Sequence, residues 1–442
     1  MLTLLRSDLL GDLRLWWGTF FVLVAAGAVA GVPATLVETA LTEEGFVRLG
    51  ILAVASTALA LSTVSLVLVL SSTVRTLVEV RRRTFALWLV VGMQPAQVAV
   101  IVVCEVALVA AAGAVVGAAV AYGVCPALVG TLLEGSSGLE EVRPVLSPGS
   151  ALAGGLIVVV VAVLAALPLA REAGSTPVLS LLRGEQPRRV GPVRRVVVTV
   201  LLLLVAGSMY AGLPAALPTG ASQSVLLGPV LIAAAATSAP LFMPALIRVW
   251  TAVIPARASV AWFLARATVI TSAQRSSAAV VAFLVAIGLP WTFLVGQQTV
   301  ASAVSGAGSA VDPRPLALLI GGPALLAAVG AAAGLLMASS NREREDALLE
   351  VAGADDSART LTSAWEALIY VVTAGIVAAV IAVAVGAGTT LLLTSVAPEV
   401  RPELVPGVAL GVTLLCLALG WIATFAPRLG RTRAIVEVLG ES

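Results

Sequence analysis

Two stretches decide how this chain is read: Arg81–Glu105, RRRTFALWLVVGMQPAQVAVIVVCE, and Arg342–Glu366, REREDALLEVAGADDSARTLTSAWE. At an offset of 261 residues, Arg81 falls on Arg342, Arg83 on Arg344, Ala86 on Ala347, Leu87 on Leu348, Gly92 on Gly353 and Glu105 on Glu366. Each stretch passes from a charged segment, through a glycine, into a long apolar run that carries one glutamate. Self-similarity at a fixed period marks a repeat architecture. The flanks agree more loosely, Leu5-Arg6 lying opposite Ala265-Arg266.

Outward from these stretches the chain is dominated by apolar runs. Of its 442 residues 60% are hydrophobic and 11% charged, and the mean hydropathy is +1.07, far above that of a soluble domain. Spanning a bilayer takes about 20 apolar residues. Ten such stretches centre on 15–37, 49–73, 98–124, 149–170, 196–217, 225–250, 276–300, 315–339, 364–394 and 404–426. Ala28-Val29-Ala30 resembles a signal-peptide cleavage site, but the run around it is long and nine more follow, so it reads as an uncleaved helix. The expected fold is therefore all-α and polytopic, with about ten transmembrane helices. The repeat divides them into a four-helix block over 15–190, two linking helices over 191–255 and a second four-helix block over 256–442. Four plus two spans preserve orientation, so the blocks are parallel. Residues 1–14, with Leu2, Leu5, Leu9 and Leu13 on one helical face, read as an interfacial amphipathic helix, and Trp16 and Trp17 as an interfacial belt.

With the N-terminus inside, 22 of the 26 basic residues fall on inner segments, leaving Arg48, Arg143, Arg314 and Arg401 outside. That bias places both termini in the cytoplasm. The outer loops also carry nine acids, including Glu38, Glu43, Glu44 and Glu403, and read as a solvated rim or an attractor for cations. No outer connection exceeds about 16 residues, too few for a folded domain. The long polar segments are all inner.

Composition also excludes chemistry. All basic residues are arginine and there is no histidine. Without lysine the chain has no G-x-x-x-x-G-K-[ST] phosphate loop, and without histidine it has no Ser-His-Asp triad or HExxH site. No enzymatic activity or metal site is expected of it, nor any nucleic-acid partner. Cys104, Cys125 and Cys416 are odd in number and read as small apolar residues.

Glu105 and Glu366 are the acids placed inside spans, where each costs roughly 2.5–3.5 kcal/mol near a helix centre. Three readings stand for them: packing acids hydrogen-bonded to a neighbour, proton or cation couplers, and conformational switches. Gly113 and Gly117, matched by Ala374 and Ala378, predict a close helix contact. Pro240 and Pro244 lie mid-span in a linking helix, where they predict a kink. Gln297 and Gln298 form a polar pair near an outer helix end. No residue is assigned to substrate binding.

Arg82-Arg83-Thr84-Phe85-Ala86-Leu87-Trp88-Leu89-Val90-Val91-Gly92, with Glu105 beyond it, resembles the FtsX-domain signature of MacB/FtsX-like permeases of ABC transporters. The stretch from Arg344-Glu345-Asp346 to Gly353 and Glu366 resembles it again, and Pro177 to Gly184 is similar to the family's closing motif. The two blocks cover roughly 60% of the chain in a layout similar to bacitracin-resistance-type permeases. The connection over 301–314 is too short for the large extracytoplasmic domain of that group. The resemblance implies a permease in the bacterial cytoplasmic membrane that exports or extracts a hydrophobic or amphipathic substrate, such as an antimicrobial peptide, lipid or drug. Two copies of a cytoplasmic ATPase would supply ATP and Mg, with membrane lipid and a histidine kinase as further partners. It assigns ATPase coupling to Arg81, Arg82, Arg83, Phe85, Leu87, Trp88 and Gly92, and to Arg342, Arg344, Glu345, Leu348 and Gly353. Phe85, Leu87, Trp88 and Val91 offer an apolar stripe for such docking, and Gly92 and Gly353 would serve as C-caps. A mechanotransmitting regulator of a kinase or hydrolase is an alternative, as is a secondary transporter, although mid-membrane charge pairs are missing.

Overall fold

The computed structural model describes residues 13–133, 142–174, 192–216, 224–255, 259–271, 273–305, 313–351, 355–394 and 400–429. These form α1 (Leu13–Thr42), α2 (Gly45–Val80), α3 (Arg82–Val90), α4 (Pro95–Leu133), α5 (Pro148–Gly174) and α6 (Pro192–Ala216). The chain continues through α7 (Ser224–Thr251), α8 (Val260–Thr271), α9 (Ala273–Ser305), α10 (Pro313–Val351), α11 (Asp356–Leu393) and α12 (Pro406–Leu429). All but α3 and α8 are long and apolar enough to cross a membrane, and these ten coincide with the ten apolar stretches of the sequence. The protein is an all-α polytopic membrane protein. Lipid offers no hydrogen-bond partner, so each crossing segment must satisfy its backbone internally, as a helix does. The interfacial helix expected over residues 1–14 lies almost wholly outside the described residues, as do 175–191 and 430–442.

Helix boundaries follow the 261-residue offset. α4 starts at Pro95 and α11 at Asp356, while α3 ends at Val90 and α10 at Val351. The same offset sets α8 opposite the first ten residues of the chain. One asymmetry stands out: α2 and α3 are separated at Arg81, whereas α10 is one uninterrupted helix over the corresponding stretch.

Two compact units are present. The first comprises residues 1–188 with 312–338; the second comprises 189–311 with 339–442. In the first, α4 packs on α1 and α5, and α2 on α1 and α5. The membrane part of α10 joins this unit because its glycines admit bulky side chains. A Cβ at Gly322 would lie 2.9 Å from Val29 Cγ1, and one at Gly330 2.5 Å from Val69 Cγ1. Val69 thus meets its own counterpart at the 261-residue offset. Ser65 Oγ also donates to the Pro323 carbonyl at 3.1 Å. In the second unit α9 packs on α7, α11 and α12, so the linking helices belong with it. α7 runs unbroken through Pro229, Pro240 and Pro244.

The close contact expected at Gly113 and Gly117 is present. A Cβ at Gly117 would lie 2.5 Å from the Val24 carbonyl oxygen and 2.8 Å from Gly27 Cα, and one at Gly113 would lie 2.6 Å from Leu23 Cβ. α1 and α4 therefore touch backbone to backbone, which maximises dispersion contacts where no hydrophobic effect acts between helices. The counterpart pair in the second unit is Gly288 and Ala378, where a Cβ on Gly288 would stand 3.6 Å from Ala378 Cβ. The repeat keeps the position and relaxes the fit by one methyl group.

The connections that lead into α5 and α12 are pinned to these same first helices. Val145 N–H donates to Thr39 Oγ1 at 3.1 Å and Ser147 N–H to Glu38 Oε2 at 2.7 Å. In the second unit Glu403 N–H donates to Thr299 Oγ1 at 3.4 Å, and Thr299 is the counterpart of Glu38.

Gly117→Val should destabilise the protein by about 1–3 kcal/mol through overpacking, read as a lowered melting temperature in detergent. Gly123→Val, on the same helix with no heavy atom within 4 Å of the point a Cβ would occupy, should leave that temperature unchanged.

Candidate functional site

The site grows from a break in an otherwise continuous helix. Arg81 N–H bonds to the Leu77 carbonyl and Phe85 N–H to the Arg81 carbonyl, both at 3.1 Å, so the hydrogen-bond ladder runs through the elbow between α2 and α3. α3 ends in a Schellman cap: Met93 N–H bonds to Trp88 O at 3.0 Å and Gly92 N–H to Leu89 O at 3.1 Å. Gly92 has φ +100°, which a side chain would oppose. The chain re-enters at α4, where Gln94 N–H is taken by the Gln97 side chain at 3.0 Å and Pro95 opens the helix. The elbow is thus held at both ends by local chemistry.

Its centre is a buried ion pair. Arg81 Nη1 donates to Glu105 Oε2 at 2.7 Å, with the two side chains 1% exposed each. The Arg81 guanidinium carbon lies 5.5 Å from the Trp16 ring centroid and 5.3 Å from that of Phe85. Trp88 extends the cluster at 5.6 Å from Phe85. Arginine suits this setting, since its planar cation stacks on aromatic faces while bonding to a carboxylate. The contacts join α1 (Trp16), the elbow (Arg81), α3 (Phe85) and α4 (Glu105). Glu105 lies ten residues into α4, about 15 Å from its start.

Phe85, assigned by the sequence to a docking stripe, is instead 2% exposed beneath Arg81. Outward on α3 and its cap are Leu87, Val90 and Val91, which are 57%, 62% and 85% exposed, with Trp88 half-buried. Arg82 and Arg83 occupy the first turn of α3, their side chains outside the described residues. Trp16 also departs from the expected belt: it is buried, and only Trp17 faces outward. Nothing in the spacing of Trp16 announced its partner, because the contact joins residues 65 positions apart.

The second stretch is built differently. Arg342, Arg344, Glu345 and Leu348 lie within α10, their side chains outside the described residues, as is Gly353 altogether. Glu366 is buried, as is Arg359 on the same helix. Ser277 and Asp346 stand where the first copy has Trp16 and Phe85. The aromatic rings of the second unit come from elsewhere. Trp262 on α8 packs edge-on to Trp365 at 5.3 Å and lies 6.3 Å from Trp250. Trp250 Nε1 donates to Thr373 Oγ1 at 2.9 Å. Among the described residues no cluster of His, Cys, Asp and Glu could hold a metal ion. Gln297 and Gln298 are half-buried on α9.

Comparison with known families gives one result. Residues 56–178 match the family model described as FtsX-like permease C-terminal. The matched segment contains the elbow, all of α3 and α4, and Glu105. No curated protein and no solved structure matches the chain.

Removing one partner of a buried pair strands the other charge, so Glu105→Ala should cost roughly 3–5 kcal/mol and sharply lower folded yield. Arg81→Met combined with Glu105→Leu should restore most of that loss. Thermal unfolding of the purified variants checks both outcomes.

Proposed function

We propose that this chain, which carries an FtsX-like permease domain over residues 56–178, is the membrane subunit of an ABC transporter driven by a separate cytoplasmic ATPase. The observation that carries the reading is α3. It is a short capped helix at the arginine-rich end of two long spans, exposing Leu87, Val90 and Val91 while Phe85 anchors it from below. An exposed apolar ridge on a rigid helix fits a groove on a protein partner, and Arg82 and Arg83 add positive charge beside it. The absence of lysine assigns ATP hydrolysis to that partner.

Movement imposed on α3 reaches α4 through Glu105 and α1 through Trp16. In the second half the corresponding segment is the end of α10, rich in both signs of charge: Arg342, Glu343, Arg344, Glu345, Asp346 and Glu350. Two ATPase subunits would thus meet unlike docking segments, the first apolar and basic, the second of mixed charge with acids in excess. Short outer connections and broad apolar surfaces suit a hydrophobic or amphipathic cargo moved outward, such as an antimicrobial peptide, a lipid or a lipophilic drug.

Co-purification with the ATPase encoded beside this chain tests the proposal. Leu87→Asp with Val91→Asp should abolish the complex or its stimulated ATP hydrolysis while leaving the melting temperature unchanged. Reversing charge at Arg82 and Arg83 should weaken coupling to a different degree, and with different salt dependence, from reversing it at Glu345 and Glu350. Equal losses would sink the asymmetry; an unperturbed complex in the Leu87/Val91 variant would sink the docking assignment.

A further inference from the structure

The segment 186–311 contains eight arginines (Arg188, Arg189, Arg194, Arg195, Arg248, Arg257, Arg266 and Arg275) and not one aspartate or glutamate. In sequence all eight fall at or before the first turn of α6, or from the last turn of α7 to the first turn of α9. Elsewhere the arginine-rich side mixes both signs, as along 342–356. A need for orientation alone does not call for the complete exclusion of acids.

The corner between α7 and α9 gives this charge a shape. α8 packs on α11 and buries Ala261, Trp262, Ala265 and Val269. Its other side and the turn before it remain uncovered: Val249 is 71%, Val253 82%, Val260 74% and Phe263 52% exposed. Val253 and Val260 lie beyond the apolar span of α7, which ends at Thr251. Set among them are Arg248, exposed, and Arg266, half-buried. Arg266 is fixed in place, because its Nε donates to Thr251 Oγ1 at 3.1 Å and that buried hydroxyl donates to the Ile247 carbonyl at 2.5 Å. Apolar side chains beside an exposed arginine and a fixed one, at a short helix joining two spans, match the boundary between acyl chains and headgroups.

We propose that the α7–α8 corner is a binding surface for anionic phospholipid. Val249, Val253, Val260 and Phe263 enter the acyl layer, and Arg248 and Arg266 meet the headgroup phosphate. Arginine makes bidentate contacts to phosphate, and the segment that forms the corner contributes no acid of its own to repel a lipid bearing net negative charge. The proposal does not depend on the ATPase-coupling reading.

Native mass spectrometry of the full chain in detergent, titrated with phosphatidylglycerol or phosphatidylcholine, tests it. The anionic lipid should be retained preferentially, by roughly fivefold for each arginine engaged, with the preference falling as salt is raised. Arg248→Gln with Arg266→Gln should bring the two lipids to parity, whereas Arg401→Gln, at the opposite end, should leave the preference intact. Val253→Ser with Phe263→Ser should lower retention of both lipids. The proposal is overturned if the double arginine variant keeps the wild-type preference, or if Arg401→Gln loses as much. Displacement of phosphatidylglycerol from the wild-type chain by the ATPase subunit would also overturn it, marking the corner as a protein-docking surface.

Discussion

The Arg81–Glu105 pair is the interaction on which the arginine-rich end of the first unit depends. Burying one charge without its partner costs several kcal/mol, so a paired arginine and carboxylate tie their elements together. Here those elements are the elbow between α2 and α3 and the early part of α4, with Trp16 of α1 laid against the guanidinium. The backbone alone would let α3 hang between two spans by the Arg81 break and the Gly92 turn. The ion pair and its aromatic cover turn that hanging segment into a fixed corner.

Below that corner the architecture rests on how closely helices approach. Gly27 and Gly117 bring α1 and α4 into backbone contact, and Gly322 and Gly330 admit Val29 and Val69 against α10. With water absent between spans, such fits substitute for hydrophobic burial. The second unit keeps the first of these positions with Gly288 and Ala378. Thr292, at the position of Gly31, bonds back to the Gly288 carbonyl at 2.7 Å. The start of α4 and that of α11 agree at the offset, while the aromatic cover of Arg81 has no counterpart at Ser277 and Asp346.

That divergence is what makes the halves physically unlike. The first carries a broken, capped helix whose one aromatic anchor is buried and whose apolar ridge is exposed. The second carries its corresponding segment as the unbroken end of α10, and its aromatic rings cluster around Trp262 of α8. α8 itself is an element that the hydropathy profile did not predict. Its twelve residues are too few to span, and they fall in the connection between two apolar stretches.

By itself the sequence determined the all-α polytopic class, the ten spans and the register of the repeat, because each follows from local quantities: run length, hydropathy and residue identity at a fixed offset. It also predicted the glycine cap at Gly92 and the close contact at Gly113 and Gly117, since few other residue types allow those conformations. The tertiary structure decided which side chains meet. It joined Arg81 to Glu105 and covered it with Trp16, turned Phe85 inward from the stripe it helps to spell, and grouped the membrane part of α10 with the first four spans. Such contacts join residues distant in sequence and arise from complementary shapes and charges in three dimensions, which no periodicity along the chain encodes.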